Sequence, residues 1–380
     1  MKKRGQLRIG GVGCGRGQGL YGTASYDHRV RLVAVCELDM KVHVQRGVLK
    51  RYEDRGIPLE KVYDDFDKFL EHDMDAVMIG TPPACHASQS IAAMMAGMDV
   101  LSEIPACMTI PEARELVRTV RKTGRTYMTA ENCNYLGMTD TWRQLVADGR
   151  LGKPLYAEGE YLHDIRHLMW RKCNDAHFPD ARLSGPNTLT WRASFYPIRY
   201  CTHEMGPLLA ILNDRVTDVM TVDTGVNTSK RTGTTDLAVA IMKTARGAVI
   251  KELVGFSLAQ PDGHRYFMVQ GTHGLLETER WRGSEAQTLA YFDDLPNVKN
   301  MMRVPIAMVP KKAYPGGIEG SGHGGLDGVM ILDFIDCLWD RKASPIDVYH
   351  GLDMTLPGIL GAESGSRGGT WLKVPDPRKW

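Results

Sequence analysis

The stretch LRIGGVGCGRGQGL at residues 7–20, read with RLVAVCEL at 31–38, decides the fold. The first is a short apolar run that opens into glycines, and the second is an apolar run that ends in an acid, Glu37. Uninterrupted runs of this length suit strands buried on both faces, so the pair reads as two parallel strands joined by a helix. A strict G-x-G-x-x-G is absent, because counting from Gly11 the third position is Arg16 and counting from Gly13 it is Gln18. The physical requirement survives: glycines allow the backbone to approach a pyrophosphate where a helix begins and its N-terminus favours negative charge. A flexible turn is the plain alternative. The strand before the glycines, and Glu37 about twenty residues later where a ribose diol would need an acid, favour a dinucleotide site. A carboxylate there would repel a 2′-phosphate, so NAD is expected over NADP.

Outward from this unit the texture repeats. MDAVMIGTPP (74–83), HASQSIAAMMAG, MDVLSEIP, TIPEARELVRTVRKTG and RTYMTAEN alternate strand and helix, which means βαβ units in a doubly wound sheet. A helical TDTWRQLVADGRLG follows, and then KPLYAEGEYLHD, TDVMTVDTGV, TTDLAVAIMKT, GAVIKELVGFS and HRYFMVQGTHGLLETE alternate apolar and polar positions. The expected fold class is therefore α/β plus α+β: an N-terminal Rossmann doubly wound parallel sheet at 1–132, and at 133–380 a substrate-binding domain built on an open, mainly antiparallel sheet. The C-terminal helix and tail are allowed to pack back on the first domain. KKAYPGGIEGSGHGGLDG at 311–328 reads as a glycine loop and GLDGVMILDFIDCLWDRK as a long helix; SIAAMMAGM reads as core.

The chain has 380 residues, long enough for two cores, with 43% hydrophobic and 24% charged residues and a formal net charge of +2. Neither nucleic acid nor an acidic membrane is implied as partner. No window approaches the ~20 apolar residues of a membrane span, and MKKRGQLRIGG runs into a strand without a signal-peptide core. A cytoplasmic protein is expected, or a periplasmic one if an export leader was removed. Cys14, Cys36, Cys85, Cys107, Cys133, Cys173, Cys201 and Cys337 show no C-x-x-C and no metal-finger spacing, so no metal is expected and most read as small core fillers.

The order GVGCGRGQG, AVCELD, IGTPPACHA, GMDVLSEIP and ENCNY resembles the glucose–fructose oxidoreductase/inositol dehydrogenase/MocA (Gfo/Idh/MocA) family over nearly the whole chain. That family commonly carries Glu-Lys-Pro where this chain has Glu103-Ile104-Pro105, and the missing lysine argues against ordinary alcohol dehydrogenation. A narrower group is more similar: the NAD-dependent α-N-acetylgalactosaminidase-like glycoside hydrolases resemble this chain at EIP, ENCNY (131–135), EGEYLHDIR (158–166), YCTHEMGPL (200–208), GHGGLDGVMILDFIDCL (322–338) and DVY (347–349). Where that group has YPTHGLGP, Cys201 and Glu204 replace Pro and Gly here.

The resemblance implies NAD as cofactor, held by Gly13, Gly15, Arg16, Gly17, Glu37, Thr81, Pro82, His86, Glu103 and Asn132. It implies a sugar site at Tyr135, Asp164, Arg166, Arg192, Tyr200, His323 and Asp327, with His203, Tyr161 and His163 as catalytic groups. The residues themselves support proton transfer: Tyr161 and His163 alternate on one strand face, Tyr200 and His203 can share a helical turn, and histidine titrates near neutrality. Either histidine alone could equally be a structural hydrogen-bonded residue, and Asp327 could be a helix-capping acid. Trp170-Arg171 and Trp191-Arg192 could offer a stacking platform and a hydrogen-bond fork, or be buried Trp beside surface Arg. The implied reaction is redox-neutral glycoside cleavage through C3 oxidation, C1–C2 elimination, water addition and re-reduction. A net sugar or cyclitol dehydrogenase and a non-catalytic sugar- and NAD-sensing protein are the alternatives. The expected partners are a small carbohydrate or glycoside and a second copy of the chain through the open sheet.

Overall fold

The computed structural model describes residues 5–38, 48–57, 59–171, 188–228, 233–259, 264–280, 287–307 and 320–380. Cys173 and the 311–319 part of the expected glycine loop lie outside them. The chain divides into two compact units, one of Met1–Tyr135, Val309–Leu352 and Pro377–Trp380, the other of Leu136–Met308 and Asp353–Asp376. Besides the stretch before the expected cut at 132/133, a late segment and the tail group with the first unit; nothing local in the sequence marks which core a helix joins.

In the first unit, β1 (Leu7–Val12), β2 (Val30–Cys36), β3 (Lys61–Tyr63), β4 (Ala76–Ile79), β5 (Asp99–Ser102) and β6 (Tyr127–Thr129) form one parallel sheet in the order β3-β2-β1-β4-β5-β6. Strand β4, AVMI, is buried at every position, as both-face coverage requires. The helices are α1 (Gly17–Ala24), α2 (Val48–Asp54), α3 (Phe66–Leu70), α4 (Pro83–Met95) and α5 (Ile110–Thr123). Local chemistry fixes α5: Thr109 and Glu112 make a capping box, and Gly124 ends the helix at φ 63°. In α4, Ala93 and Met94 are core as expected, whereas Met95 is exposed. The order in which strands are added reverses at β1, which β2 and β4 flank, and the carboxyl ends of strands at such a switch point are where ligands bind in open parallel sheets.

The second unit starts with α6 (Gly137–Ala147) and β7 (Pro154–Leu162), followed by the short pair β8 (Trp170–Arg171) and β9 (Thr188–Leu189) and by α7 (Thr202–Leu212). Its main sheet adds β10 (Val216–Asp223), β11 (Leu237–Thr244), β12 (Val249–Gly255), β13 (His264–Gly271), β14 (Gly274–Thr278), β15 (Gln287–Phe292), β16 (Met302–Pro305) and β17 (Leu372–Lys373). The order is β16-β15-β14-β13-β7-β12-β11-β10-β17. The sheet is mixed: β7 pairs antiparallel with β13 and parallel with β12. Strand β11 alternates buried and half-buried positions, so one face packs inward and the other is open. Helices α6 and α7 pack together, α7 against β7, and the Trp142 indole N–H of α6 donates to Thr288 Oγ1 of β15 at 3.0 Å.

Two long helices close the chain, α8 (Leu326–Asp340) in the first unit and α9 (Val348–Ser366). Helix α8 begins at Leu326, within the stretch GLDGVMILDFIDCLWDRK expected to be helical, after a 3-10 turn at His323–Gly325.

Candidate functional site

The glycines of the first unit divide their work. Gly10 and Gly11 serve packing, since a Cβ at Gly11 would lie 2.2 Å from the Tyr21 ring of α1 and one at Gly10 would lie 2.3 Å from Met74 Sδ. Gly13 has φ 83°, and a Cβ at Gly80 would sit 2.2 Å from the Gly17 Cα, so the start of α1 presses against the end of β4. Above Gly15 nothing among the described residues lies within 4 Å of where a Cβ would be. This leaves an open, backbone-lined shelf before a helix N-terminus. Glu37, half-buried just past β2, accepts the Cys14 N–H at 2.8 Å. The shelf, the helix start and the acid together fit a dinucleotide.

Arg16 anchors the same loop. Its Nε lies 2.9 Å from a Glu103 carboxylate oxygen, and its Nη1 and Nη2 donate to Asp327 at 2.7 and 3.0 Å. Asp327, in the first turn of α8, also accepts from Asn132 Nδ2 at 2.8 Å and meets His323 Nδ1 at 3.0 Å. Its side chain is fully buried. Burial alone would push the carboxyl up, but His323 and Arg16 hold it well below its usual range. The sequence reading set Asp327 and His323 apart as sugar ligands; the structure gathers Arg16, Glu103, Asn132, His323 and Asp327 into one cluster inside the first unit.

His86 is buried on α4 with Nδ1 2.9 Å from Pro105 O and Nε2 2.8 Å from Thr81 O. It ties the β4–α4 turn, where Thr81 and Pro82 lie, to the Glu103-Ile104-Pro105 turn. Burial pushes its pKa down against these two carbonyls and Glu103. A neutral ring has one N–H to donate, so one carbonyl is served at a time. Ile104 is buried, and its peptide bond to Pro105 is cis. Tyr135 closes the 3-10 turn Asn132–Tyr135.

The second unit holds an aromatic–histidine cluster. Tyr161, near the end of β7, hydrogen-bonds His163 Nδ1 through its hydroxyl at 3.1 Å. Its ring lies 5.3 Å from that of His203 and 5.5 Å from that of Tyr200; Tyr200 and His203 are 5.1 Å apart. Phe256 packs edge-on against both tyrosines. The two-residue alternation brings Tyr161 and His163 to one side as expected. Tyr200 and His203 lie in different elements: Tyr200 ends a 3-10 turn, Pro197–Tyr200, and His203 is the second residue of α7, which opens at Thr202 after Cys201. They meet all the same, because Cys201 between them keeps helical dihedrals, φ −66° and ψ −3°, and the 3-10 turn runs on into α7.

Around the cluster, Asp164 accepts from Arg166 Nε at 2.8 Å and Nη2 at 2.5 Å; against burial, which raises it, these bonds keep the carboxyl below its usual range. Arg192 stacks on Trp191, Cζ to ring centroid 4.3 Å, so both are half-buried partners in one 3-10 turn. Sequence reasoning missed Arg265, whose Cζ lies 5.6 Å from the centre of the Tyr161 ring. Arg265 stands directly opposite Tyr161 in the β13–β7 ladder, and such a register belongs to the pairing of two strands.

Residues 7–131 match the family described as the oxidoreductase family, NAD-binding Rossmann fold, and residues 141–379 match the glycosyl hydrolase 109 C-terminal domain. A glycosyl hydrolase family 109 protein of Saccharopolyspora erythraea is 27% identical across 97% of this chain and 83% of its own length. An alpha-N-acetylgalactosaminidase of Tannerella forsythia is 24% identical across 99% of this chain and 87% of its own. A solved levoglucosan dehydrogenase, in complex with NADH and L-sorbose, superposes with a TM-score of 0.78 at 18% identity, covering 98% of this chain and 100% of that one.

Proposed function

The chain belongs to the glycosyl hydrolase 109 family, its first domain being the NAD-binding Rossmann fold of the Gfo/Idh/MocA oxidoreductases, and from this we propose that it is a glycoside hydrolase of redox-neutral mechanism. It is an NAD-dependent, sugar-processing enzyme; the route of cleavage is the part proposed. The observation that supports it most is Tyr161 set between two histidines, its hydroxyl on His163 and its ring against His203. That is equipment for moving protons at two neighbouring sugar carbons.

When bound, NAD would supply an acceptor for the hydrogen leaving C3 of the sugar and would return it at the end. His203 takes the C3 hydroxyl proton as the carbonyl forms. The C2–H beside that carbonyl is then acidic enough for a weak base, so Tyr161 with His163 removes it while the aglycone leaves C1. Water adds across the resulting double bond, and His203 gives its proton back to the C3 oxygen. The roles of His203 and the Tyr161–His163 pair are exchangeable in this scheme. A temporary carbonyl does the work that a carboxylate pair does in ordinary glycosidases. Glu37 and the Gly15 shelf hold the cofactor, Arg16 and Asp327 hold the shelf in shape, and Arg166, Arg192 and Tyr200 orient the sugar.

Purified protein assayed against aryl α- and β-glycosides, the α-N-acetylgalactosaminide among them, tests this. Aglycone release without accumulating NADH is expected; stoichiometric NADH without release indicates a net dehydrogenase, and binding without turnover a sensor. The open face of the second unit's sheet is the surface on which a second copy of the chain would pair. No helix among the described residues is long and apolar enough to cross a membrane, and access to the cytoplasmic NAD pool makes the cytoplasm the proposed compartment.

A further inference from the structure

Arg192 is the least explained cation near the cluster. Its neighbour in function, Arg166, is neutralised by Asp164 through bonds at 2.8 and 2.5 Å. Arg192 has no ion pair with any carboxylate among the described residues; its guanidinium lies over the face of Trp191, 4.3 Å from the ring centroid. Trp191 is itself braced edge-on by Phe195 at 5.4 Å, and Phe195 by Tyr200 at 6.1 Å, which fixes the guanidinium to the same aromatic wall as the catalytic rings. Burial pushes the Arg192 pKa down, opposed by the phenols of Tyr200 and Tyr161. A second guanidinium, Arg265, faces the ring of Tyr161 from β13.

Holding a cation half out of water without an anion is costly, and an aromatic face offsets only part of that cost. A neutral sugar hydroxyl adds an ordinary hydrogen bond, whereas a carboxylate or sulfate adds charge-assisted bonds that the planar fork can make in pairs. We propose that Arg192 recognises an anionic substituent on the sugar, so that the substrates are glycosides of pyranoses bearing a uronate carboxylate or a sulfate ester. This rests on the reading of the cluster as a glycoside site and narrows its substrate class. Arg192 acts in recognition; the proton-transfer groups and the reaction steps are unchanged.

The test uses the NAD-loaded protein and calorimetric titration with matched methyl glycosides in the galacto and gluco series: neutral, uronate and 6-O-sulfated. One charged form is expected to bind at least about tenfold tighter than its neutral counterpart, the worth of one charge-assisted contact, with an advantage that shrinks as salt is added. Comparing the uronate with the sulfate tells which anion the site takes. Arg192→Met should lower the charged-to-neutral affinity ratio by about tenfold or more, and Arg192→Lys should restore part of it, with thermal melting of both variants confirming that they fold. Equal binding of charged and neutral sugars, or binding of neither, overturns the proposal. So does an Arg192→Met variant that weakens both kinds alike, because Arg192 is then only a brace for Trp191. Arg192-dependent binding of a charged sugar with no aglycone released from any aryl glycoside leaves the anion assignment standing and removes the hydrolase reading. Equal kcat/KM for charged and neutral aryl glycosides does the reverse.

Discussion

Tyr161 and His203 lie ring against ring, centroids 5.3 Å apart and tilted by 36°, one from the central strand of the second unit and the other from the first turn of α7. In the proposed mechanism they serve different atoms of the sugar, so their replacements should fail at different steps. His203→Ala should lower kcat by about 10²–10⁴, the usual worth of a positioned general base, with a smaller change in substrate affinity. Tyr161→Phe should permit C3 oxidation and stop at elimination, so a single turnover leaves NADH on the protein. Wild-type turnover in heavy water should place deuterium at C2 of the released sugar. Absence of label there would remove the elimination route, and near-normal turnover by His203→Ala would move the base to His163.

Glu37 sits half-buried just past β2 and already binds the Cys14 N–H. Glu37→Ala should weaken NAD by roughly 1.5–3 kcal/mol, one charge-assisted contact, as read by titration calorimetry. A wild type that prefers NADP would contradict the assignment.

Ile104 occupies a buried position, 4% exposed, where the wider family commonly has lysine. Ile104→Lys would place a charge there without a partner, at a cost in stability, and should not increase aglycone release. Faster hydrolysis by this variant would show that the lysine role had merely been lost.

Asp327 receives Arg16, Asn132 and His323 with no exposure of its own. Asp327→Ala should cost about 3–5 kcal/mol in urea unfolding, because Arg16 loses a buried partner, and NAD affinity should fall with it. The sign of the pH effect follows from a native carboxyl held below its ordinary value of 3.8. Its stabilisation is complete above that value and is lost as pH falls toward the native one, so the gap between wild type and Asp327→Asn should narrow in acid.

Glu252 of β12 is fully buried beside Gly159, where the side chain of Glu204 also packs, and its carboxyl oxygens have no hydrogen-bond partner among the described residues. Burial, with Glu204, Glu160 and Glu158 adding to it, pushes its pKa well above 4.5. A raised acid binds its proton more tightly when folded, so stability should decline as pH rises from about 4.5 toward the native value. Glu252→Gln keeps the shape without the charge and should raise Tm at pH 8 while leaving it little changed at pH 4. Equal melting curves at both pH values would show that the carboxyl is not strained.

The sequence by itself determined the parallel α/β character of the first domain. The alternation of apolar runs and helices, the glycines before α1 and the acid after β2 are local signals: a strand buried on both faces must be apolar throughout, and a backbone that approaches phosphate must lack side chains. It also determined that Tyr161 and His163 share a side, since strand side chains alternate with period two. Only the tertiary structure decided the rest. The parallel β7–β12 pair, the place of Arg265 opposite Tyr161 and the return of α8 to the first unit depend on which strands and helices pair across long stretches of chain. Asp327 shows the limit most clearly. Its sequence neighbours fit a sugar ligand or a helix cap equally well, and its role as anchor for Arg16 follows from burial and ion pairing between residues 311 positions apart. Such a pairing is created by packing, and a pattern that repeats every two or 3.6 residues carries no record of it.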